Sequence, residues 1–283
     1  MTYHMKFLVS SFLIFFTFLL PASAAVENED AFDASACSAS GDMLVDDGDC
    51  RVTPSTFSTM IYEIGLCTAH PYGAAKTSAT FDASTCVVIY SDAAPTAVDL
   101  AATIGTTTSL PGTASVPVEG TYSYPYIKLG TDFTVAGSFT NTPTGGSATT
   151  YYSAGNTAVN TTGPAVTQTD SLQNFGDNTC ASGYVGATVV GGTMDGFITD
   201  TTFARSDSAD IADGSTCDNS DRLVAVMNLA TPFTVTSQTY SVSFNFILTN
   251  YGAQFVDGDS DGSAPEEFSS APFAGYFTVL NAD

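Results

Sequence analysis

The sequence predicts an all-β protein: an antiparallel β-sandwich, one large or two smaller, stapled by disulfides and preceded by a cleaved signal peptide. Three observations carry this. Apolar and polar residues alternate in short runs; Gly, Pro, Asn and Asp punctuate those runs; and no segment repeats its apolar residues at the helical spacing of about 3.6 positions.

The clearest alternation places Tyr240, Val242, Phe244, Phe246 and Leu248 on one face, with Ser241, Ser243 and Asn245 on the other. Such a pattern predicts a half-buried strand. Phe133, Val135, Gly137 and Phe139 repeat it, with Asp132, Thr134, Ala136 and Ser138 opposite. Further strands are expected over 57–66, 86–90, 97–101, 121–129, 149–153, 184–190, 223–229 and 273–280, with turn clusters at 141–147 and 257–265 between them. Many short punctuated strands favour a sandwich over an alternating α/β fold. The Thr- and Gly-rich stretch at 141–146 marks the best boundary, dividing the chain into a cysteine-bearing part, 25–140, and a β-rich part, 148–283.

Residues 1–24 have the layout of a secretory signal: His4 and Lys6, then an apolar run, then Pro21, Ala22, Ser23 and Ala24. Ala22 and Ala24 satisfy the small-x-small rule, so the mature chain is expected to start at Ala25. The apolar run is shorter than the roughly 18 to 20 residues a spanning helix needs. Cys37 lies too far from the cleavage point to carry a lipoprotein's lipid, and no second run of spanning length follows. The expected location is extracellular or at the cell surface, with the periplasm as the other compartment this signal serves.

Removing 1–24 from 283 residues leaves 259, enough for a sizeable core. Lys6 departs with the signal, so five basic residues (Arg51, Lys76, Lys128, Arg205, Arg222) face 29 acidic ones, a formal charge of about −24. Nucleic acid is excluded as a partner, because its binding depends on cations neutralising phosphates. Anionic membranes are disfavoured for the same reason. The charge instead invites divalent cations.

Six cysteines, Cys37, Cys50, Cys67, Cys86, Cys180 and Cys217, lie in the mature part. An even number in an exported chain reads as disulfides. Sequential pairing, Cys37 to Cys50, Cys67 to Cys86 and Cys180 to Cys217, is favoured among the connectivities because it closes short loops. No pair has C-x-x-C spacing, which argues against a metal role.

The run from Pro54 through Phe57 to Leu66, then Ala97 to Leu100, then Val118 to Tyr122 ahead of Tyr126 to Leu129, resembles the layout of transthyretin-like extracellular β-sandwich modules. The resemblance spans 54–140 and rests on spacing and on the Gly120-Thr121-Tyr122 turn that leads a core strand. It implies a cell-surface structural or adhesive setting and brings no functional residues with it.

Asp257, Asp259 and Asp261, followed by Gly262, place oxygen ligands at alternate positions with a glycine at the sixth, as a calcium loop requires. An intact EF-hand is not expected, because Phe268 occupies the twelfth position where a bidentate Glu belongs. The two readings are a looser calcium loop and a solvated acidic turn. Asp46, Asp47 and Asp49 form a second acidic group, and Asp207, Asp210, Asp213, Asp218 and Asp221 a third; both read as hydrated loops. Gly258, Ser260 and Gly262 match G-x-S-x-G, but the only mature histidine, His70, lies far upstream and carboxylates surround the serine, so no nucleophile elbow is expected. His70 itself reads as a loop residue without catalytic duty.

Tyr122, Tyr124 and Tyr126 fall on one face of a predicted strand, as a ligand-stacking strip or as an aromatic ladder. Asn160 opens a glycosylation sequon. The apolar C-terminal strand, 273–280, completes its own sheet or is given to a neighbouring subunit. The leading expectation is a non-enzymatic structural or adhesive component of a cell surface or extracellular filament, self-associating or bound to other surface components, with calcium as its candidate ion. The alternative is a secreted module binding a glycan or small ligand. A hydrolase, resting only on surplus carboxylates, is the third.

Overall fold

The computed structural model describes residues 35–44, 48–106, 109–173, 175, 183–189, 191–205, 220–257 and 264–281. Residues 1–24 therefore lie outside the described residues, as do Cys180 and Cys217. Among the described residues no helix is long and apolar enough to cross a membrane. The only helical turns there are two short 3-10 segments, Ala83–Thr85 and Ala101–Thr103.

The strands form an antiparallel β-sandwich of several sheets. A seven-stranded sheet runs in the order β14 (Tyr184–Val189), β15 (Gly192–Thr199), β16 (Arg222–Leu229), β8 (Tyr124–Gly130), β3 (Ile61–Cys67), β4 (Cys86–Ser91) and β6 (Thr113–Ala114). A six-stranded sheet runs β1 (Asp49–Val52), β19 (Ala253–Val256), β20 (Glu267–Ser270), β12 (Ala158–Asn160), β11 (Thr149–Gly155) and β10 (Ser138–Asn141). A four-stranded sheet holds β13 (Gln168–Ser171), β9 (Asp132–Ala136), β2 (Thr56–Thr59) and β5 (Val98–Asp99). Two ribbons complete the fold: β7 (Gly120–Tyr122) with β17 (Phe233–Val235), and β18 (Thr239–Ile247) with β21 (Ala274–Asn281).

Three runs expected as single strands break and feed two sheets each. The 57–66 run splits at Met60 into β2 and β3, the 121–129 run at Ser123 into β7 and β8, and the 133–139 run at Gly137 into β9 and β10. Corners of this kind let one chain turn from one layer into the next. At Gly137 the corner is tight: a Cβ there would stand 3.0 Å from the Phe268 ring, which would have to shift to admit it. The 141–147 stretch is the turn between β10 and β11, and strands from both sides of it share sheets: β1 pairs with β19, β8 with β16, β9 with β13 and β7 with β17.

The main core fills the space between the seven-stranded sheet and the other layers, with Phe57, Leu66, Ile127, Leu129, Phe255 and Phe268 wholly buried. The seven-stranded sheet is covered on its outer face too. Along β16, Leu223, Ala225 and Met227 enter the main core, while Val224 and Val226 enter a second, smaller cluster. Burial on both faces explains why this strand reads as continuously apolar rather than alternating.

β18 departs from its expected half-buried pattern. Ser241, Ser243 and Asn245 are buried as Val242 and Phe244 are, whereas Tyr240 is 60% exposed. A register shift between Thr239 and Ser241 in the pairing with β21 turns Tyr240 outward. Asn245 is satisfied by donating from Nδ2 to the Tyr276 carbonyl and to Thr278 Oγ1, each at 3.3 Å.

Candidate functional site

Two of the three expected disulfides lie among the described residues and pair as expected. Cys37 joins Cys50, and Cys67 joins Cys86 across the β3–β4 pair. The second bridge closes a loop, 68–85, that folds back over the outer face of the seven-stranded sheet. Thr68 N–H donates to the Thr85 carbonyl at 3.0 Å, and Asp82 N–H to the Pro71 carbonyl at 2.8 Å. The segment 200–205 locks the loop from outside: Arg205 N–H donates to the Ala79 carbonyl at 2.8 Å, and the Tyr72 hydroxyl donates to the Phe203 carbonyl at 3.1 Å.

Under this flap lies the densest group of ionisable side chains in the described structure. Asp195, on β15, is wholly buried. Lys76 Nζ stands 2.8 Å from its Oδ1, the Tyr184 hydroxyl donates to the same oxygen at 2.8 Å, and His70 Nε2 stands 3.4 Å from Oδ2. The last distance exceeds that of an aligned hydrogen bond. Burial alone would raise the Asp195 pKa, but the neighbouring His70 nitrogen, the hydrogen bonds from Lys76 and Tyr184 and the Lys76 charge outweigh it and hold the carboxyl below its ordinary range. Burial opposes the charge on Lys76, yet Asp195 outweighs it and moves the amine above its ordinary value. Burial and the Asp195 carboxylate both push the Tyr184 phenol up.

His70 is fixed from its other nitrogen as well: Nδ1 accepts from Tyr72 N–H at 3.1 Å. Its ring packs edge-on against Tyr124 and Phe197, with centroids 5.5 and 5.9 Å away. A second ion pair sits beside it, with Lys128 Nζ 2.8 Å from Glu63 Oε1, an oxygen that also accepts from the Tyr126 hydroxyl at 2.6 Å. Lys128 Nζ lies 3.7 Å from the Phe203 ring centroid and 4.1 Å from that of Phe81. Burial moves this amine below its ordinary value, with Glu63 opposing the shift. Arg205 covers the Phe197 ring at 5.1 Å. Chemically the arrangement is a set of acid–base groups bonded to one another: no hydroxyl or thiol among the described residues hydrogen-bonds to His70 as an attacking group would.

The expected tyrosine strip divides between environments. Tyr122 enters the main core and donates to the Val118 carbonyl at 2.8 Å, whereas Tyr126 lies in the outer cluster over Gly65, whose hypothetical Cβ would meet its ring at 2.4 Å. Tyr124 is partly exposed beside His70. The break at Ser123 separates the rings, so the three do not form one face.

The structure joins the ends of two acidic stretches that are far apart in sequence. Asp49 opposes Val256 in the β1–β19 pair, and Asp257 N–H donates to the Gly48 carbonyl. Asp257 is 5% exposed. Asp46, Asp47, Asp259, Asp261, the G-x-S-x-G serine and all but Asp221 of the third acidic group lie outside the described residues. Among the described residues no group of three metal-ligating side chains gathers. Asn160, at the end of β12, is exposed in a turn where its Oδ1 accepts from Thr162 N–H at 3.0 Å.

Between the seven-stranded and six-stranded sheets lies a cleft of about 330 Å³. Its apolar wall comes from β14, β15 and β16 through Val185, Ala187, Met194, Leu223 and Ala225. Asp49, Arg51, Gln254 and Ser270 line it from β1, β19 and β20. A more open groove of about 410 Å³ runs between Met227, Phe233, Phe277 and Val279.

The inner ends of this arrangement were not visible in the sequence. Asp195 sits alone among apolar residues in a segment opened by Gly191 and Gly192, and its partner Lys76 is far upstream. The one signal was that isolation, since a lone carboxylate in an apolar strand needs a partner. Comparison of the chain with family models, with curated proteins and with solved structures finds no match.

Proposed function

We propose that this chain is an exported, non-catalytic structural or adhesive protein of the cell surface or of an extracellular assembly. What supports the reading best is the use of its scarce cations. All five basic residues of the mature chain pack on rings or carboxylates: Arg51 on Tyr251, Arg222 on Tyr62, Lys128 and Arg205 in the outer cluster, and Lys76 on Asp195. The acid–base groups fasten a disulfide-closed flap to a sheet, which is a task of mechanical cohesion. The remaining surface is strongly acidic and suits bridging by calcium, with Asp257, Asp259 and Asp261 as its ligands. Assembly joins like surfaces once a divalent ion offsets their repulsion.

Electron microscopy and sedimentation of the purified mature protein test this. Ordered polymers, or sedimenting oligomers that form with calcium and disperse with chelator, are expected. A protein that stays monomeric with and without calcium, at every concentration reached, sinks the proposal. Thermal melts give the separate test of the ion: calcium raises Tm if it binds the native state alone, and no shift removes it from the reading.

A further inference from the structure

The cleft between the two large sheets is unusual for the interior of a sandwich, where side chains pack with few voids. Its volume of about 330 Å³ is roughly twice that of the cavity of about 150 Å³ known to admit benzene. It also falls within the size range of small-molecule sites. Short side chains leave room on this wall: Ala187 and Ala225 line it beside Val185, Met194 and Leu223.

The opposite side is polar in an ordered way. Arg51 and Gln254 are register partners on β1 and β19, and Asp49 lies two positions before Arg51 and so on the same face. Asp49 and Arg51, opposite charges on one face, leave this wall without a net charge to offset the cost of stripping water from an ionic head group. An uncharged group that both donates and accepts hydrogen bonds complements all of them, since Gln254 and Ser270 also do both. We infer that this cleft binds a small uncharged amphiphile, with an aliphatic or aromatic body against β14–β16 and a hydroxyl or amide head toward Asp49, Arg51 and Gln254.

The probe is the neutral fluorophore N-phenyl-1-naphthylamine, titrated into the purified mature protein and then displaced by 1-decanol, by decanoate or by decyltrimethylammonium. Saturable one-to-one enhancement is expected, with 1-decanol displacing at a concentration about tenfold below either charged amphiphile. Ala225→Phe and Ala187→Leu fill the cleft, and each weakens the fluorophore about tenfold or more while circular dichroism is unchanged. Gln254→Leu keeps the fluorophore bound but narrows the preference for the alcohol. Three results overturn the inference: no saturable binding to the native protein, binding untouched in whichever filling variants fold, or charged amphiphiles that displace as well as 1-decanol. Assembly state is read separately, so failure here leaves the structural proposal standing or falling on its own test.

Discussion

The seven-stranded sheet has two faces that solve the same packing problem differently. Its inner face presents aliphatic side chains such as Leu66, Ile127 and Leu129 to the other layers, whose rings include Phe57 of β2, 5.6 Å from Phe133 and 5.5 Å from Phe273. Among the described residues its outer face has no sheet to meet. A loop covers it instead, and a loop brings polar backbone that must be satisfied and little apolar area. The covering is held by a disulfide, by Tyr72 packed on Phe197 and Phe81 on Tyr126, by the Lys128 ammonium over the Phe81 ring, and by the ion pair of Lys76 with Asp195. The inner face should therefore respond to lost volume, and the outer face to redox state and pH.

The largest effect is expected inside. Phe57→Ala should cost about 3–5 kcal/mol by cavity formation, seen as a lower midpoint in guanidinium unfolding. Converting Cys67 and Cys86 to Ser should cost about 3 kcal/mol, with hydrogen exchange over 68–85 accelerating before that of the inner strands. Should the whole sheet exchange together, the two faces are one cooperative unit and the contrast between them fails.

Asp195→Asn comes next, at about 2 kcal/mol at neutral pH, because it removes the charge that satisfies Lys76 and Tyr184. Its pH dependence sharpens the comparison. The folded-state pKa of Asp195 is depressed, so its stabilisation is present above the unfolded value of about 4 and is lost as pH falls through the lower folded value. Melts below about pH 4 should show a shallower acid limb in Asp195→Asn than in the native protein, and an unchanged limb in Phe57→Ala. Smallest is the exposed hydroxyl pair Thr140 Oγ1 to Thr150 Oγ1, 2.8 Å apart. Thr140→Val should cost under about 1 kcal/mol, with no dependence on pH or salt.

How much of this could be read from the chain depended on whether the signal was local. The all-β class, the cores of β3, β8, β16 and β21, and two disulfides were legible, because period-two patterns and short cysteine loops are local. The corners at Met60, Ser123 and Gly137 were not, since alternation continues through a bend and only the third dimension shows which layer each half joins. β15 escaped notice because Gly191, Gly192 and Asp195 interrupt its apolar character, and β13 because Gln168 to Ser171 is polar throughout. The outer-face cluster was illegible for a related reason: Lys76 meets Asp195, and Glu63 meets Lys128, across distances in sequence that no motif spans. The division of the tyrosine run was illegible too, since a one-residue break at Ser123 sends Tyr122 to the main core and Tyr124 and Tyr126 to the outer cluster.

The placement of the five cations among the described residues has a consequence for the lifetime of the chain. Proteases of tryptic specificity must draw a Lys or Arg side chain into a deep pocket with its flanking backbone extended and free. Arg51, Lys128 and Arg222 lie within paired strands, the first two 4% exposed, and Arg205 is pinned by its guanidinium to the Lys76 carbonyl. Cleavage at the three strand positions thus requires opening a sheet, at Lys76 lifting a disulfide-closed flap, and at Arg205 releasing its backbone and guanidinium from that flap. For these enzymes digestion becomes a measure of unfolding rather than of surface access.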